Sequence, residues 1–170
     1  DDANVFNIRG AIYLIPAVRD FDKSKAQFEK ARALEPDALA PKFNLAELHF
    51  VKHVFAEAEA AFAALLKEYT KLQMSVRHLV AFKMLVSQAE QGKIDEANKT
   101  LKANFTFMDD TPAYYFSKAA LAFVQKKEDE AKEWLEKANS IFKPGENSPY
   151  LDSLMETRHI PNIMIPPGAK

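Results

Sequence analysis

A pattern of one acidic residue, one small residue and, four positions later, one bulky apolar residue recurs four times along the chain. The small residues are Ser24, Ala58, Ala97 and Ala131, which are separated by 34, 39 and 34 residues. The bulky residues, which keep the same spacing, are Phe28, Phe62, Leu101 and Leu135. A period near 34 is typical of helical-hairpin repeats. Because a small side chain lets two helices approach closely and a bulky one fills the space between them, the pattern predicts four stacked helix hairpins.

The first helix of each hairpin is predicted to cross its partner about twelve residues before the small residue. Ala46, Leu85 and Ala119 occupy this place in repeats two to four. In repeat one the matching residue is Gly10, fourteen residues before Ser24, so two residues are inserted around Pro16. Five further residues are inserted between repeats two and three, within residues 69–76. The sequence leaves open whether this second insertion is functional or neutral.

These segments resemble tetratricopeptide repeats. The resemblance is plainest in Tyr13, Asp20-Phe21-Asp22-Lys23 and the run from Phe28 to Pro36. It implies an all-α, right-handed α-solenoid of about four hairpins, with repeats at about 4–36, 38–69, 72–108 and 111–144. These repeats form a single domain over residues 1–158. The family binds other polypeptides, so the resemblance also implies a protein–protein interaction scaffold rather than an enzyme.

Two C-terminal segments follow the repeats. Residues 149–158 carry one apolar stripe behind Ser148-Pro149, and we expect them to form the capping helix that the end of a solenoid requires. Residues 159–170 contain three prolines and several large apolar residues, so this tail is too proline-rich for a helix and too apolar to prefer water. We expect the tail to dock onto protein.

Composition excludes several classes of function. The 23 basic and 24 acidic residues nearly cancel and form no long block of one sign, which disfavours a nucleic-acid partner. No window is apolar enough to span a bilayer, so we expect a soluble domain. The chain has no cysteine, which leaves its compartment unknown. Because residue 1 is not Met, one interpretation is that Asp1 follows a cleaved signal peptide, in which case the protein is exported.

Catalytic and metal-binding motifs are not apparent. His49 and His53 have the i, i+4 spacing of a metal pair, but no third ligand stands near them in the sequence, and packing is the simpler role. We find no HExxH motif, no glycine-rich phosphate loop and no GxSxG elbow. The prediction is therefore a non-enzymatic protein with no cofactor and no metal; a metal-binding or enzymatic role is the minor alternative.

The resemblance places the binding surface on the concave side, which the first helix of each hairpin forms. Aligning the repeats puts aromatic residues there, and these either pack between repeats or form an exposed apolar groove. The predicted peptide-binding residues are Asn7, Phe43, Glu47, Phe50, Phe82, Lys83, Val86, Phe116 and Phe123. Only Asn44 and Lys83 match the donors of the family's carboxylate clamp, so an apolar segment is expected instead of an acidic C-terminus.

Self-association is the alternative function. Residues 160–167 could fill the groove of their own chain or of a neighbour, which would make the groove autoinhibited or the seam of a homodimer. The partner's identity and the stoichiometry cannot be read from the sequence.

Overall fold

The computed structural model describes residues 2–161, which are all-α and contain nine α-helices. Eight of them form four antiparallel hairpins, and a short 3-10 helix, Pro16–Val18, lies in the turn of the first hairpin. The helices are α1 Ala3–Ile12, α2 Phe21–Leu34, α3 Leu39–Val51, α4 Phe55–Glu68, α5 Met74–Glu90, α6 Ile94–Asn104, α7 Ala113–Val124, α8 Glu128–Ile141 and α9 Pro144–Glu156.

Each hairpin closes around its small residue. Ser24, Ala58, Ala97 and Ala131 are all fully buried, as the repeat pattern predicts. In the first hairpin the Ser24 hydroxyl donates a hydrogen bond to the Gly10 carbonyl at 2.9 Å, and Phe28 lies directly against Gly10. Close approach of the two backbones therefore depends on small side chains at the crossing.

The hairpins stack in chain order. The second helix of each packs on the first helix of the next, α2 on α3, α4 on α5 and α6 on α7. Phe62 and Leu85 belong to a continuous apolar core that runs through repeats two to four, while Ala3, Phe6 and Ala31 form a separate cluster in the first hairpin. The predicted all-α solenoid is confirmed.

The turns within the last three hairpins share one backbone geometry. His53, Gly92 and Lys126 each lie five residues before the buried alanine, with φ of 58°, 77° and 60°. Because left-handed backbone is easiest for glycine, Gly92 suits the end of α5, and the other two turns accept the geometry with larger residues.

The last helix starts earlier than predicted. The sequence places a capping helix at 149–158, but α9 begins at Pro144, so Pro149 lies inside it. Pro144 suits the first helical position because that residue needs no N–H partner, and the Glu146 carboxylate accepts from the Lys143 backbone N–H at 2.7 Å. These two N-terminal features outweigh the one backbone hydrogen bond that Pro149 removes.

The structure also locates both insertions. The first forms the turn around the 3-10 helix of repeat one. The second supplies the connection after Glu68 and one additional turn at the start of α5, which is 17 residues long against 13 for α3.

A Gly10→Ala substitution tests the close crossing of α1 and α2. The added methyl group would overlap the Phe28 ring, so we expect the free energy of unfolding to fall by about 1–3 kcal/mol despite alanine's better helix propensity. Urea denaturation measures the change. Gly145→Ala is the matched control, because nothing lies within 4 Å of its new methyl group. Equal effects of the two substitutions would contradict the crossing.

Candidate functional site

The candidate site is the inner face of the solenoid, which we define as the side of α3, α5 and α7 on which α9 lies. Helix α9 contacts α5, α7 and α8. The Tyr150 ring centroid lies 5.0 Å from that of Phe82 and 5.4 Å from that of Phe116. The chain's own C-terminal helix therefore covers the centre of the face that the sequence predicted to bind a peptide.

The predicted aromatic anchors are consequently not exposed in this structure. Phe50, Phe82 and Phe116 each have 0% exposure, and Val86 has 1%. Phe50 packs edge-on against Phe55 and Phe62, whereas Phe82 and Phe116 pack against Tyr150. For these residues the packing alternative holds, and the expectation of an exposed groove along them is corrected. Burial raises the pKa of Tyr150 to about 12, so its phenol stays neutral under this apolar cover.

A buried cation links α9 to two of the helices beneath it. The Lys83 ammonium donates to a Glu47 carboxylate oxygen at 2.9 Å and to the Ser153 hydroxyl at 2.9 Å, and it lies 4.7 Å from the Phe50 ring centroid. These contacts link α5 to α3 and α9. Lys83, predicted to bind a peptide, thus holds the protein's own last helix, and Glu47, predicted to do the same, is its ion-pair partner.

The C-terminal end of α9 is fixed to the hairpin turns. Arg19, in the turn of repeat one, donates two hydrogen bonds to the Glu156 carboxylate at 2.8 and 2.9 Å. The Glu156 backbone carbonyl lies 2.9 Å from His53 Nε2. His159 contacts Glu90 and stacks on Phe123, with ring centroids 5.4 Å apart. Residues from all four repeats therefore contact the segment from Pro144 to His159.

The two remaining predicted residues differ in accessibility. Asn7 is buried, and its side-chain oxygen accepts from the Asn44 amide at 3.1 Å, so it links α1 to α3. Phe43 is half-buried, with its ring centroid 6.0 Å from that of Phe62. Of the predicted set, Phe43 alone lines the open part of the inner face.

This open part is a pocket of about 590 Å³ at the N-terminal ends of α3, α5, α7 and α9. Its apolar lining consists of Leu39, Ala40, Phe43, Val76, Leu79, Pro112 and Pro149. Asn44, Ser75, Asp110, Thr111, Gly145, Glu146 and Tyr150 complete it. Aligning the repeats did not identify most of these residues, because an alignment finds positions that recur in every repeat, and the pocket is lined mostly by residues that do not recur. Val76 belongs to the inserted turn of α5, and Pro149 belongs to α9. The sequence feature that could have indicated Val76 is the five-residue insertion between repeats two and three.

A buried histidine lies beside this pocket. His78 Nδ1 lies 2.7 Å from the hydroxyl of Thr111, a lining residue, and the imidazole packs edge-on against Phe105 at 5.2 Å. Burial lowers the pKa of His78 from its ordinary value of 6.5; Asp109 opposes this effect and Arg77 adds to it. The neutral imidazole is therefore the form that the fold favours.

Neither a cluster of metal ligands nor a membrane-spanning helix is present among the residues that the structure describes. Across 2–161, no group of three His, Asp or Glu side chains is close enough to bind a metal ion together. His53 stacks on Phe55 with ring centroids 5.4 Å apart, in addition to its contact with α9. None of the helices within the same range has the length and apolarity needed to cross a bilayer.

Comparison with known proteins supports the fold. No protein-family model and no curated protein matches the chain. A solved structure of a tetratricopeptide repeat protein from Parabacteroides merdae ATCC 43184 is similar, with a TM-score of 0.66 and 17% sequence identity. The match covers 92% of this chain and 57% of that one, so this chain spans little more than half of the length of the solved protein. The tetratricopeptide-type solenoid expected from the sequence is confirmed as the fold.

The ion pair beneath α9 predicts unequal effects of removing its two partners. The Lys83 side chain is 6% exposed and that of Glu47 is 22% exposed. Glu47→Leu leaves an enclosed ammonium without its hydrogen-bonded carboxylate, so we expect it to cost about 3–5 kcal/mol of unfolding free energy. Lys83→Met leaves a carboxylate whose Oε2 is enclosed but whose side chain is more exposed than that of Lys83, and the loss should be smaller, roughly 1–2 kcal/mol. Urea titrations of both variants measure the two losses, and a larger loss in Lys83→Met than in Glu47→Leu would contradict this arrangement.

His78 predicts a dependence of stability on pH. Because its pKa is lowered in the folded state, the unfolded chain binds the proton more tightly, and stability falls as the pH drops below 6.5. We expect the unfolding free energy to fall less between about pH 7.5 and pH 5 in His78→Gln than in the parent chain. Urea titrations at both pH values measure this, with His49→Gln, at a half-buried position outside the pocket, as control. An unchanged pH dependence in His78→Gln would contradict the role given to burial.

Proposed function

We propose that this chain, an all-α solenoid with the tetratricopeptide-type fold, binds an apolar segment of another polypeptide in the pocket beside α9. The fold as such serves as a protein-interaction scaffold, because stacked hairpins create an extended inner surface on which a chain can lie. The observation that carries the proposal is that α9 covers Phe82 and Phe116 but leaves the apolar surface around Phe43 and Leu79 open.

The size and lining of the pocket fit side chains of a peptide. A volume of about 590 Å³ can take one or two large apolar side chains. Leu79, Val76 and Phe43 supply apolar walls, while the amide of Asn44 and the hydroxyl of Ser75 can hydrogen-bond the ligand's backbone. An apolar surface left open on a folded protein marks an interaction site more often than an inert one.

The charges around the pocket favour a segment without acidic groups. Asp110 and Glu146 are its two acidic lining residues; Asp110 precedes α7, and Glu146 lies in the first turn of α9. At these places their negative charges offset the positive ends of the helix dipoles, so these helix N-termini do not attract anions as an N-terminus without acidic residues would. A partner with a carboxylate at this point would meet two like charges.

Occupation of the inner face by the chain's own C-terminal segment is the second candidate role. The packing of Tyr150 and the Lys83–Ser153 hydrogen bond favour it, because they place α9 where the sequence predicted the ligand. A partner that uses Phe82 and Phe116 would then have to displace α9. The tail segment predicted to fill the groove, 160–167, extends from Ile160 and Pro161 into residues outside the described range.

Random peptides displayed on phage and selected on the full 170-residue chain test the proposal. We expect the selected sequences to be rich in large apolar residues and poor in Asp and Glu. Leu79→Glu should weaken a selected synthetic peptide by about tenfold or more in fluorescence anisotropy, since it places a charge on the pocket wall. Val76→Glu, on the inserted turn, should act in the same direction.

Two controls make the result specific. Ile141→Glu changes an exposed apolar residue outside the pocket and should leave the affinity unchanged. A chain ending at Pro161 tests the tail: if peptides bind only after residues 162–170 are removed, the pocket belongs to the chain's own tail and the proposal is wrong. Selected peptides that bind Leu79→Glu and the parent chain equally would also overturn it.

A further inference from the structure

Helix α9 buries a largely polar face. Its buried residues are Asn147, Tyr150, Ser153 and Leu154, and the buried Thr157 follows directly after the helix. Three of these five side chains are polar, whereas α7, which lies beneath α9, buries Ser117 as its one polar residue. Interfaces that form and dissociate are more polar than permanent ones. The contact of α9 with the inner face is therefore closer in character to that of a bound ligand than to that of a core helix.

One polar atom of α9 and one of α7 have no hydrogen-bond partner within residues 2–161. They are Asn147 Oδ1 and Ser117 Oγ, and both are enclosed. An enclosed polar atom without a partner has given up water and gained no hydrogen bond in exchange. The docked position of α9 is thus less favourable than a fully paired interface of the same area would be.

The sequence of α9 does not favour an isolated helix. It begins with Pro144-Gly145-Glu146-Asn147-Ser148-Pro149, so glycine and an internal proline, the two residues least favourable to a helix interior, both lie in its first half. A helix of 13 residues is also marginal in water by its length alone. The inner face therefore holds α9 in its helical form. Because Phe142 and Lys143 alone connect it to α8, the segment can leave this face without opening a hairpin.

Three side chains of α9, at intervals of three residues, contact repeats one, three and four. Tyr150, Ser153 and Glu156 lie on one side of the helix, since residues three apart are neighbours on a helix surface. In turn they contact the rings of Phe82 and Phe116, the Lys83 ammonium and the Arg19 guanidinium. An aromatic ring, a hydroxyl and a carboxylate at i, i+3 and i+6 are therefore the groups that this face accepts.

The two cations of the inner face do not depend on α9 for their positions. Arg19 Nε donates to the Leu14 carbonyl at 2.9 Å, within the turn of repeat one. Lys83 donates to Glu47 on α3 at 2.9 Å and lies over the Phe50 ring. Because these contacts remain when α9 leaves, both cations stay oriented, and a ligand does not lose affinity by having to order them.

We propose that α9 is a displaceable occupant of the inner face and that the partner which replaces it is a helix of another polypeptide. That helix carries an aromatic residue, a hydroxyl residue three positions later and an acidic residue six positions later, as α9 does. This displacement rests on the second role proposed above, in which the chain's own segment occupies the inner face. The required acidic residue meets Arg19, at the opposite end of α9 from the pocket, so it does not approach Asp110 or Glu146.

Hydrogen exchange of the full 170-residue chain tests whether α9 leaves the face while the hairpins stay folded. The backbone amides of residues 150–155 should exchange at least about tenfold faster than the most protected amides of α5 and α7, because they open without global unfolding. Arg19→Gln should increase the exchange of residues 150–155 alone, whereas Arg32→Gln, at an exposed position on α2, should not. Exchange of α9 at the same rate as α5 and α7 would overturn the proposal.

A synthetic peptide of residues 143–161, labelled with fluorescein, serves as the partner helix. In the parent chain α9 competes with it at an effective concentration on the order of millimolar, so the peptide should bind weakly. Tyr150→Ala in the chain weakens this competitor, and fluorescence anisotropy should show at least about tenfold tighter binding of the peptide. If circular dichroism shows that Tyr150→Ala does not fold, Glu156→Gln, which removes the charge that Arg19 binds, replaces it.

The matched control is the same peptide with Tyr150→Ala and Glu156→Gln, which should not bind. Equal binding of the two peptides would overturn the chemistry given to the partner, and so would the absence of binding to a folded variant chain at concentrations on the order of 100 µM. A failure of the proposed pocket gives a different result. If phage-selected apolar peptides bind and peptide 143–161 does not, only the displacement is wrong. If peptide 143–161 binds and no phage-selected peptide does, only the pocket is wrong.

Discussion

The structure depends on the fact that a two-helix hairpin cannot bury its apolar faces alone. Within a hairpin, the crossing at Gly10 and Ser24 brings two backbones together. The apolar outer sides of both helices remain exposed to water until another hairpin covers them. Stacking satisfies this requirement between neighbours, as at α4 and α5. Stacking does not cover the inner face of the first helices, and the proposed function concerns this face.

The inner face is covered in part by α9, and its cover is of two kinds. At the centre Tyr150 packs on Phe82 and Phe116, which excludes water over apolar surface. At the far end the contacts are ionic, from Arg19 to Glu156 at the turn of repeat one. The aromatic part holds the helix down and the ionic part fixes its direction across the repeats. Because α9 starts at the N-terminal end of α7 and crosses toward the turns, it leaves part of the apolar inner face uncovered, and this part is the pocket.

The repeat period explains which features were predictable from sequence. Spacing identified the four hairpins and the buried small residues, because each of these recurs. The path of α9 does not recur. Its position depends on contacts such as Lys83 with Ser153, 70 residues apart in sequence, and its start at Pro144 depends on a capping interaction that competes with Pro149. Alignment therefore located the inner face, while the buried state of Phe82 and Phe116 and the pocket walls required the structure.

The insertions show how a repetitive fold acquires a specific site. The two extra residues in repeat one lengthen a turn that carries Arg19, and this turn reaches the end of α9. The five between repeats two and three extend α5 beyond its neighbours and bring Val76 to the pocket. Neither insertion disturbs the crossings that hold the hairpins together, since both lie between helices or at a helix end. Departures from the repeat are thus where this chain differs chemically from a uniform solenoid, and both departures act on α9 or on the space beside it.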